Sequence, residues 1–171
     1  MTSLATPSSP SPATAYSALM RTPFATLGIR THAGRMTGLD FLPRSGPELA
    51  PRDAIAAEAV RQLERYLADP CFRFELPLAP EGTPFRRRVW QAISDIPPGR
   101  ARTYGELARI LHSAARAVGG ACGANPIALV IPCHRVVGRD GALGGFMNAA
   151  AGDPLAIKRW LLRHEGYRLH G

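Results

Sequence analysis

No uninterrupted apolar stretch in this chain approaches the ~20 residues that a membrane-crossing helix needs, so no membrane partner is expected. Cysteine is scarce. Cys71, Cys122 and Cys133 are too few and odd in number for a disulfide scaffold, which points to free thiols in a reducing cytoplasm. No Cys-x-x-Cys pair is present, and Val136 stands where the zinc-deaminase pattern Pro-Cys-x-x-Cys wants a second cysteine. Neither a metal nor a cofactor is expected. The first residues have neither the early positive charge nor the apolar core of a secretory signal. Lysine is almost missing: Lys158 stands alone against twenty arginines, a bias that genome composition by itself can produce.

What is present describes a soluble globular protein. The chain has 171 residues, 46% hydrophobic and 20% charged, enough for one domain or two small ones with a real core. Its net charge of +8 is unevenly spread. Residues 1–78 carry eight arginines against seven acids. Residues 79–171 carry twelve arginines and one lysine against six acids. A basic C-terminal half suits a polyanionic partner, because clustered cations release counterions from phosphates.

Residues 1–22 are rich in Pro, Ser, Thr and Ala, with one charge at Arg21, and read as a disordered tail. Residues 23–78 read as a small α/β domain. Two strands between Phe24 and Leu42 turn near Gly34, Asp53 caps a helix with Ile55, Ala59, Leu63 and Tyr66 on one stripe, and Phe72 to Leu76 suits a third strand. Pro77, Pro80 and Gly82 mark a linker, and residues 79–171 form a mainly helical domain. There, Thr83-Pro84 opens a helix that Pro97-Pro98-Gly99 closes, and Thr103 with Glu106 makes a capping box for a helix to about Leu111. Ser113 caps a third helix to about Ala124, so the pair resembles a helix-turn-helix. That third helix is nearly all Ala and Gly around Arg116, although glycine costs about 1 kcal/mol inside a helix. Close helix packing and close approach to nucleic acid explain it equally well. Asp153 and Pro154 open the last helix, which Gly166 stops.

Cys133 follows the apolar run Ile127–Ile131. A cysteine so placed is ordinarily inert core. Its neighbours argue otherwise. Pro132 interrupts a strand and can turn the next side chain toward a cavity, His134 supplies a base and Arg135 supplies positive charge. If the backbone stays extended, adjacent side chains face opposite ways, and His134 reaches the sulfur only through a kink or a water.

Pro132-Cys133-His134-Arg135-Val136 resembles the active-site motif of the methylated-DNA–protein-cysteine methyltransferases, also called alkylguanine-DNA alkyltransferases. Further stretches match that family in order: Phe85-x-x-x-Val89-Trp90, Ile96-Pro97-x-Gly99, Thr103 to Ala108, Ala115 to Gly119, Asn125-Pro126, and Lys158 to Leu162 with Glu165-Gly166. The match is continuous over roughly residues 83–167. It implies an α/β fold in which a small antiparallel sheet with a helix precedes a helical, winged-helix-like domain. It also implies transfer of an alkyl group from guanine O6 in double-stranded DNA to Cys133, by a monomer that acts once. In such a scheme His134 takes the thiol proton through water, Glu165 orients the imidazole, Tyr104 donates to the departing guanine and Asn125 pins the turn. Arg116 fills the gap of a flipped-out nucleotide in the minor groove, with Tyr104, Gly105, Ser113, Ala117, Arg135 and Arg139 contacting DNA. The same resemblance implies that Val136, Phe146, Met147, Trp90 and Lys158 surround the alkyl pocket.

The chain departs from the family pattern between residues 146 and 157, where its loop is longer and Phe146 replaces a common tyrosine. Arg86-Arg87-Arg88 matches no motif and suits a solvated helix face or a phosphate contact. The rival reading is a non-catalytic lesion sensor or DNA-binding regulator, and a weaker one is a cysteine hydrolase.

Overall fold

The computed structural model describes residues 15–146 and 154–169. Three strands, β1 (Ala18–Arg21), β2 (Thr26–His32) and β3 (Arg35–Leu42), form an antiparallel sheet in that order. The β2–β3 hairpin turns at Ala33 and Gly34, both with left-handed backbone (φ 49° and 74°), the two-residue turn whose twist matches its strands. Helix α1 (Ala54–Ala68) covers the sheet, and the Asp53 carboxylate accepts from the Ala56 amide at its start. Ala56, Ala59, Leu63 and Tyr66 are its buried stripe.

Four more helices follow among the described residues: α2 (Pro84–Ser94), α3 (Tyr104–Ile110), α4 (Ala115–Gly123) and α5 (Pro154–His164). Thr83 caps α2 through the Arg86 amide. The Thr103–Glu106 capping box opens α3 with both of its hydrogen bonds formed. α3 and α4 pack against each other across residues 111–114, where His112 adopts φ 52°. A short parallel pair, β4 (Arg102–Thr103) with β5 (Val136–Val137), ties the start of α3 to the segment after Cys133.

One apolar cluster runs through the sheet, α1, α2, α4 and α5. Backbone bonds stitch the sheet to the rest: the Leu39 amide donates to the Pro126 carbonyl (2.9 Å), and Met36 exchanges bonds with Pro77 and Ala79 (2.8 and 2.9 Å).

Four expectations need correction. The disordered tail does not extend to residue 22, because Ala18 to Arg21 pair with β2 and bury Ala18 and Leu19. Residues 72–76 form no ladder, and only Leu78 beyond them bridges to Met36. Ile127–Ile131 is a tight turn rather than a strand. Finally, α4 takes Ala114 as its N-cap with no side-chain bond, so Ser113 is not its cap. Asp153, Met147 and most of the long loop lie outside the described residues.

Candidate active site

The turn carrying Cys133 is built by Asn125. Its side-chain amide donates to the Ile131 carbonyl (2.8 Å), and its side-chain oxygen accepts from the Ile127 amide (3.0 Å). These bonds close residues 127–131 into a loop in which the Ile131 amide meets the Ile127 carbonyl (2.9 Å) and Leu129 is held at φ 78°. That conformation is strained for a leucine and persists only because its surroundings fix it. Pro132 follows, and Cys133–Arg135 wind into one turn of 3-10 helix. Strand alternation therefore does not govern Cys133 and His134.

The Cys133 side chain is almost fully buried, yet it lines a cavity of about 650 Å³. The other walls are Tyr104 of α3, the small-residue face of α4 from Ala115 to Gly123, and Gly145–Phe146. Phe146 keeps its place by packing edge-on against Phe41 of β3, with ring centroids 6.1 Å apart. Gly144 (φ 67°) lets the chain pass the Tyr104 ring; a Cβ there would lie 3.0 Å from it.

Burial pushes the Cys133 thiol up to about 11, opposed by hydrogen bonding from the Asn125 side chain and by the Lys158 charge. Lys158 is itself fully buried and donates to the carbonyls of Val136 (2.6 Å) and Gly145 (3.0 Å). Burial drags its ammonium down to about 8. Its Nζ also sits 5.8 Å from the centroid of the Tyr104 ring. The Tyr104 hydroxyl donates to the Gly145 carbonyl (3.3 Å), and burial keeps it protonated far above its ordinary range.

On the other side of the turn lies a buried polar cluster. Glu165, just past α5, accepts from His134 Nε2 on Oε1 (2.7 Å), and Arg135 grips both of its oxygens, Nε to Oε2 (3.0 Å) and Nη2 to Oε1 (2.8 Å). Arg135 is anchored in turn on the Ile96 carbonyl (2.7 Å). From α1, the Tyr66 hydroxyl also donates to Glu165 Oε1 (2.8 Å). Burial alone raises the Glu165 carboxyl, but bonds and charge from His134 and Arg135 outweigh it and hold the group well below the usual carboxylate range. Burial lowers the His134 imidazolium, against the pull of Glu165. A carboxylate only accepts, so Nε2 carries the proton and Nδ1 is left with a free lone pair. Nδ1 is buried and has no hydrogen-bond partner among the described residues. No group of three or more His, Cys, Asp or Glu among those residues could hold a metal.

Residues 84–167 match the family model for the DNA-binding domain of 6-O-methylguanine DNA methyltransferase. A Methanosarcina barkeri protein named methylated-DNA–protein-cysteine methyltransferase is 41% identical over 157 residues, covering 88% of this chain and 96% of that one. The Methanosarcina acetivorans protein of the same name is 50% identical over 111 residues, covering 64% of this chain and 68% of its own length. The chain belongs to the methylated-DNA–protein-cysteine methyltransferase family. The crystal structure of the Mycobacterium tuberculosis O6-methylguanine methyltransferase aligns with a TM-score of 0.73 at 38% identity, over 86% of this chain and 90% of that one. The Mycobacterium tuberculosis OGT in complex with DNA aligns equally well, with a TM-score of 0.74 at 37% identity over 86% and 91%.

Within this family member the structure gathers Cys133, Tyr104 and Phe146 around one cavity, joined by Arg116 at its edge. His134 and Glu165 are bonded to each other, and Asn125 braces the turn between α4 and Cys133. Gly105, Ser113, Arg116, Ala117 and Arg139 are exposed. Gly105 and Arg139 line a second cleft on the other side of Tyr104.

Four expected positions fall elsewhere. Arg135 is not free for DNA, because its guanidinium is buried in the Glu165 clamp. Trp90 lies beneath α4, its indole N–H on the Ala121 carbonyl (2.9 Å), and does not reach the cavity. Val136 and Lys158 also stand behind the wall, Lys158 acting on it through the Gly145 carbonyl. Of Arg86, Arg87 and Arg88, all exposed, Arg88 donates to the Leu111 carbonyl (3.3 Å). Sequence reasoning missed Tyr66 and Cys122. Tyr66 was hidden inside an apolar stripe, although a tyrosine at a buried helical position needs a partner for its hydroxyl. Cys122 reads as a small apolar residue of α4, yet it lines the cavity beside Cys133.

Proposed function

We propose that this chain repairs alkylated DNA by moving a methyl or larger alkyl group from guanine O6 to the sulfur of Cys133, irreversibly and once per molecule. The observation that carries this reading is a thiol lining an open cavity of about 650 Å³ next to a histidine whose free nitrogen is buried and unpartnered. A cavity of that size suits one purine with a small adduct.

At rest the thiol keeps its proton, since burial has raised it to about 11. Reaction therefore needs a base. His134 Nδ1 accepts the thiol proton through an intervening water, and Glu165 steadies the imidazolium that forms, the logic of a hydrolase triad on another scaffold. The sulfur attacks the alkyl carbon, the S–C bond forms, and the C–O6 bond breaks with its electron pair passing to guanine. Tyr104, held neutral, donates a proton to the departing ring. Lys158 supports the developing thiolate with its positive charge. The thioether product has no carbonyl for water to attack, so the molecule is spent.

To reach this thiol the base must leave the duplex. The small-residue face of α4 enters the minor groove, and Arg116 at the cavity edge occupies the space of the flipped nucleotide. The protein works as a monomer in the cytoplasm. A protein that only bound lesions would have no use for a buried base–carboxylate pair beside the thiol.

The test is incubation with duplex DNA carrying a labelled methyl on guanine O6. Label moves to protein, saturates at one per chain and is lost in Cys133→Ala. Label that stays on DNA with the unaltered chain refutes the reading.

A further inference from the structure

We propose that Tyr66 is a positioning residue for the transfer: from α1, its hydroxyl sets the Glu165 oxygen that orients His134. The inference rests on the function proposed above and adds to it a group from the sheet-and-helix part of the chain, ninety-nine residues before Glu165.

Glu165 Oε1 is crowded. It takes the His134 Nε2 proton (2.7 Å), one Arg135 nitrogen (2.8 Å) and the Tyr66 hydroxyl (2.8 Å), while Oε2 takes the other Arg135 nitrogen (3.0 Å). A carboxylate offers about four lone-pair sites, so these donors fill it. All three donors on Oε1 draw on the same negative charge, and each weakens what the others receive. Tyr66 thereby moderates the pull of Glu165 on the imidazole, and that pull decides how readily His134 takes a proton.

The hydroxyl is not free to drift. Tyr66 is fully buried, its ring meets His164 edge-on (5.1 Å) and Phe74 at a tilt (5.5 Å), and its carbonyl pairs with His164 Nε2 (2.8 Å). A phenylalanine would satisfy this packing, so the hydroxyl, costly to bury without a partner, is the feature to explain. Burial keeps it protonated and thus a donor.

The charged or titratable groups facing His134 are Glu165 and Lys158 from the α5 segment, and Arg135 on its own turn. His164 faces Tyr66, through that ring and carbonyl. The readout must therefore belong to His134 itself.

Methyl transfer from an O6-methylguanine duplex is timed across pH with the full chain, alongside NMR titration of His134 in 15N-histidine-labelled protein. In Tyr66→Phe, transfer near neutral pH is expected to slow roughly three- to tenfold. The acid limb of the rate and the His134 titration should move together to higher pH, by about half a unit or more. Phe74→Leu, which disturbs the same packing without touching the hydroxyl, should scale the rate and leave the limb in place. A Tyr66→Phe profile and His134 titration that overlay those of the unaltered chain overturn the inference. Should Tyr66→Phe fail to fold, 3-fluorotyrosine incorporation makes the phenol a stronger donor and should move the His134 titration to lower pH; no movement is equally fatal. An unaltered chain that accepts no methyl at any pH sinks the functional reading instead, and the His134 titration still reports on Tyr66.

Discussion

At the scale of single residues, the site is two opposed electrostatic settings on either side of one 3-10 turn. Cys133 sits in a pocket that favours the neutral thiol, while Glu165 sits in a cluster that favours its anion. The consequence for stability has a definite sign. The Glu165 carboxyl is depressed in the folded protein, so its contribution is complete above the ordinary carboxyl range near ~4.3 and is lost as pH falls through the folded value. His134 is depressed too, so below about 6.5 the unfolded chain takes up a proton that the folded one resists. Both effects weaken the fold in acid. The urea midpoint should be lower at about pH 5.5 than at about pH 7.5, and His134→Asn should flatten the difference between them. A midpoint constant over that interval in the unaltered chain would contradict a neutral, buried His134. Arg135 shows why the sequence misleads at this scale. Next to a cysteine it reads as positive charge for the sulfur or for DNA, and only the distant Glu165 reveals it as a clamp.

Among the elements, α4 is the anomaly, since its glycines work against its own stability. A Cβ on Gly120 would meet nothing within 4 Å, and one on Gly119 would only touch the Tyr104 ring at 4.0 Å. The fold does not need these glycines; the proposed groove contact does. Gly120→Ala should therefore raise unfolding stability by about 0.5–1 kcal/mol while weakening duplex binding, as read by urea titration and fluorescence anisotropy. Stabilisation with unchanged DNA affinity would show that α4 stays clear of the duplex. Helices with side-chain caps were legible from sequence: Asp53, Thr83 and the Thr103–Glu106 box each start a helix where their spacing says. β1 was not, because four residues beside a Pro/Ser-rich stretch become a strand only through pairing with β2. Nor was the turn at 127–131. Its apolar run has the composition of a buried strand, and the Asn125 bonds override that preference.

Across the whole molecule, charge and core are distributed differently. The excess positive charge belongs to residues 79–171, whereas the apolar cluster is shared with the sheet and α1. A charge-driven DNA contact carries little sequence information, because phosphates are the same everywhere. Binding to unmodified duplex should vary little with sequence and fall steeply as salt rises, with a linear dependence of log affinity on log salt. A strong preference for one operator-like sequence would favour a regulator instead. Cys133, its motif and most of the residues that surround it were legible because they lie in one continuous stretch. Tyr66 was not, because its role exists only after α1 has packed against the end of α5.

Two thiols line the same cavity, and this makes one measurement decisive. After reaction with O6-methylguanine duplex DNA, peptide mass mapping should find one added CH2 unit per chain, on the peptide containing Cys133, with Cys122 and Cys71 unmodified. The added group on Cys122, or spread over several cysteines, would contradict Cys133 as the acceptor.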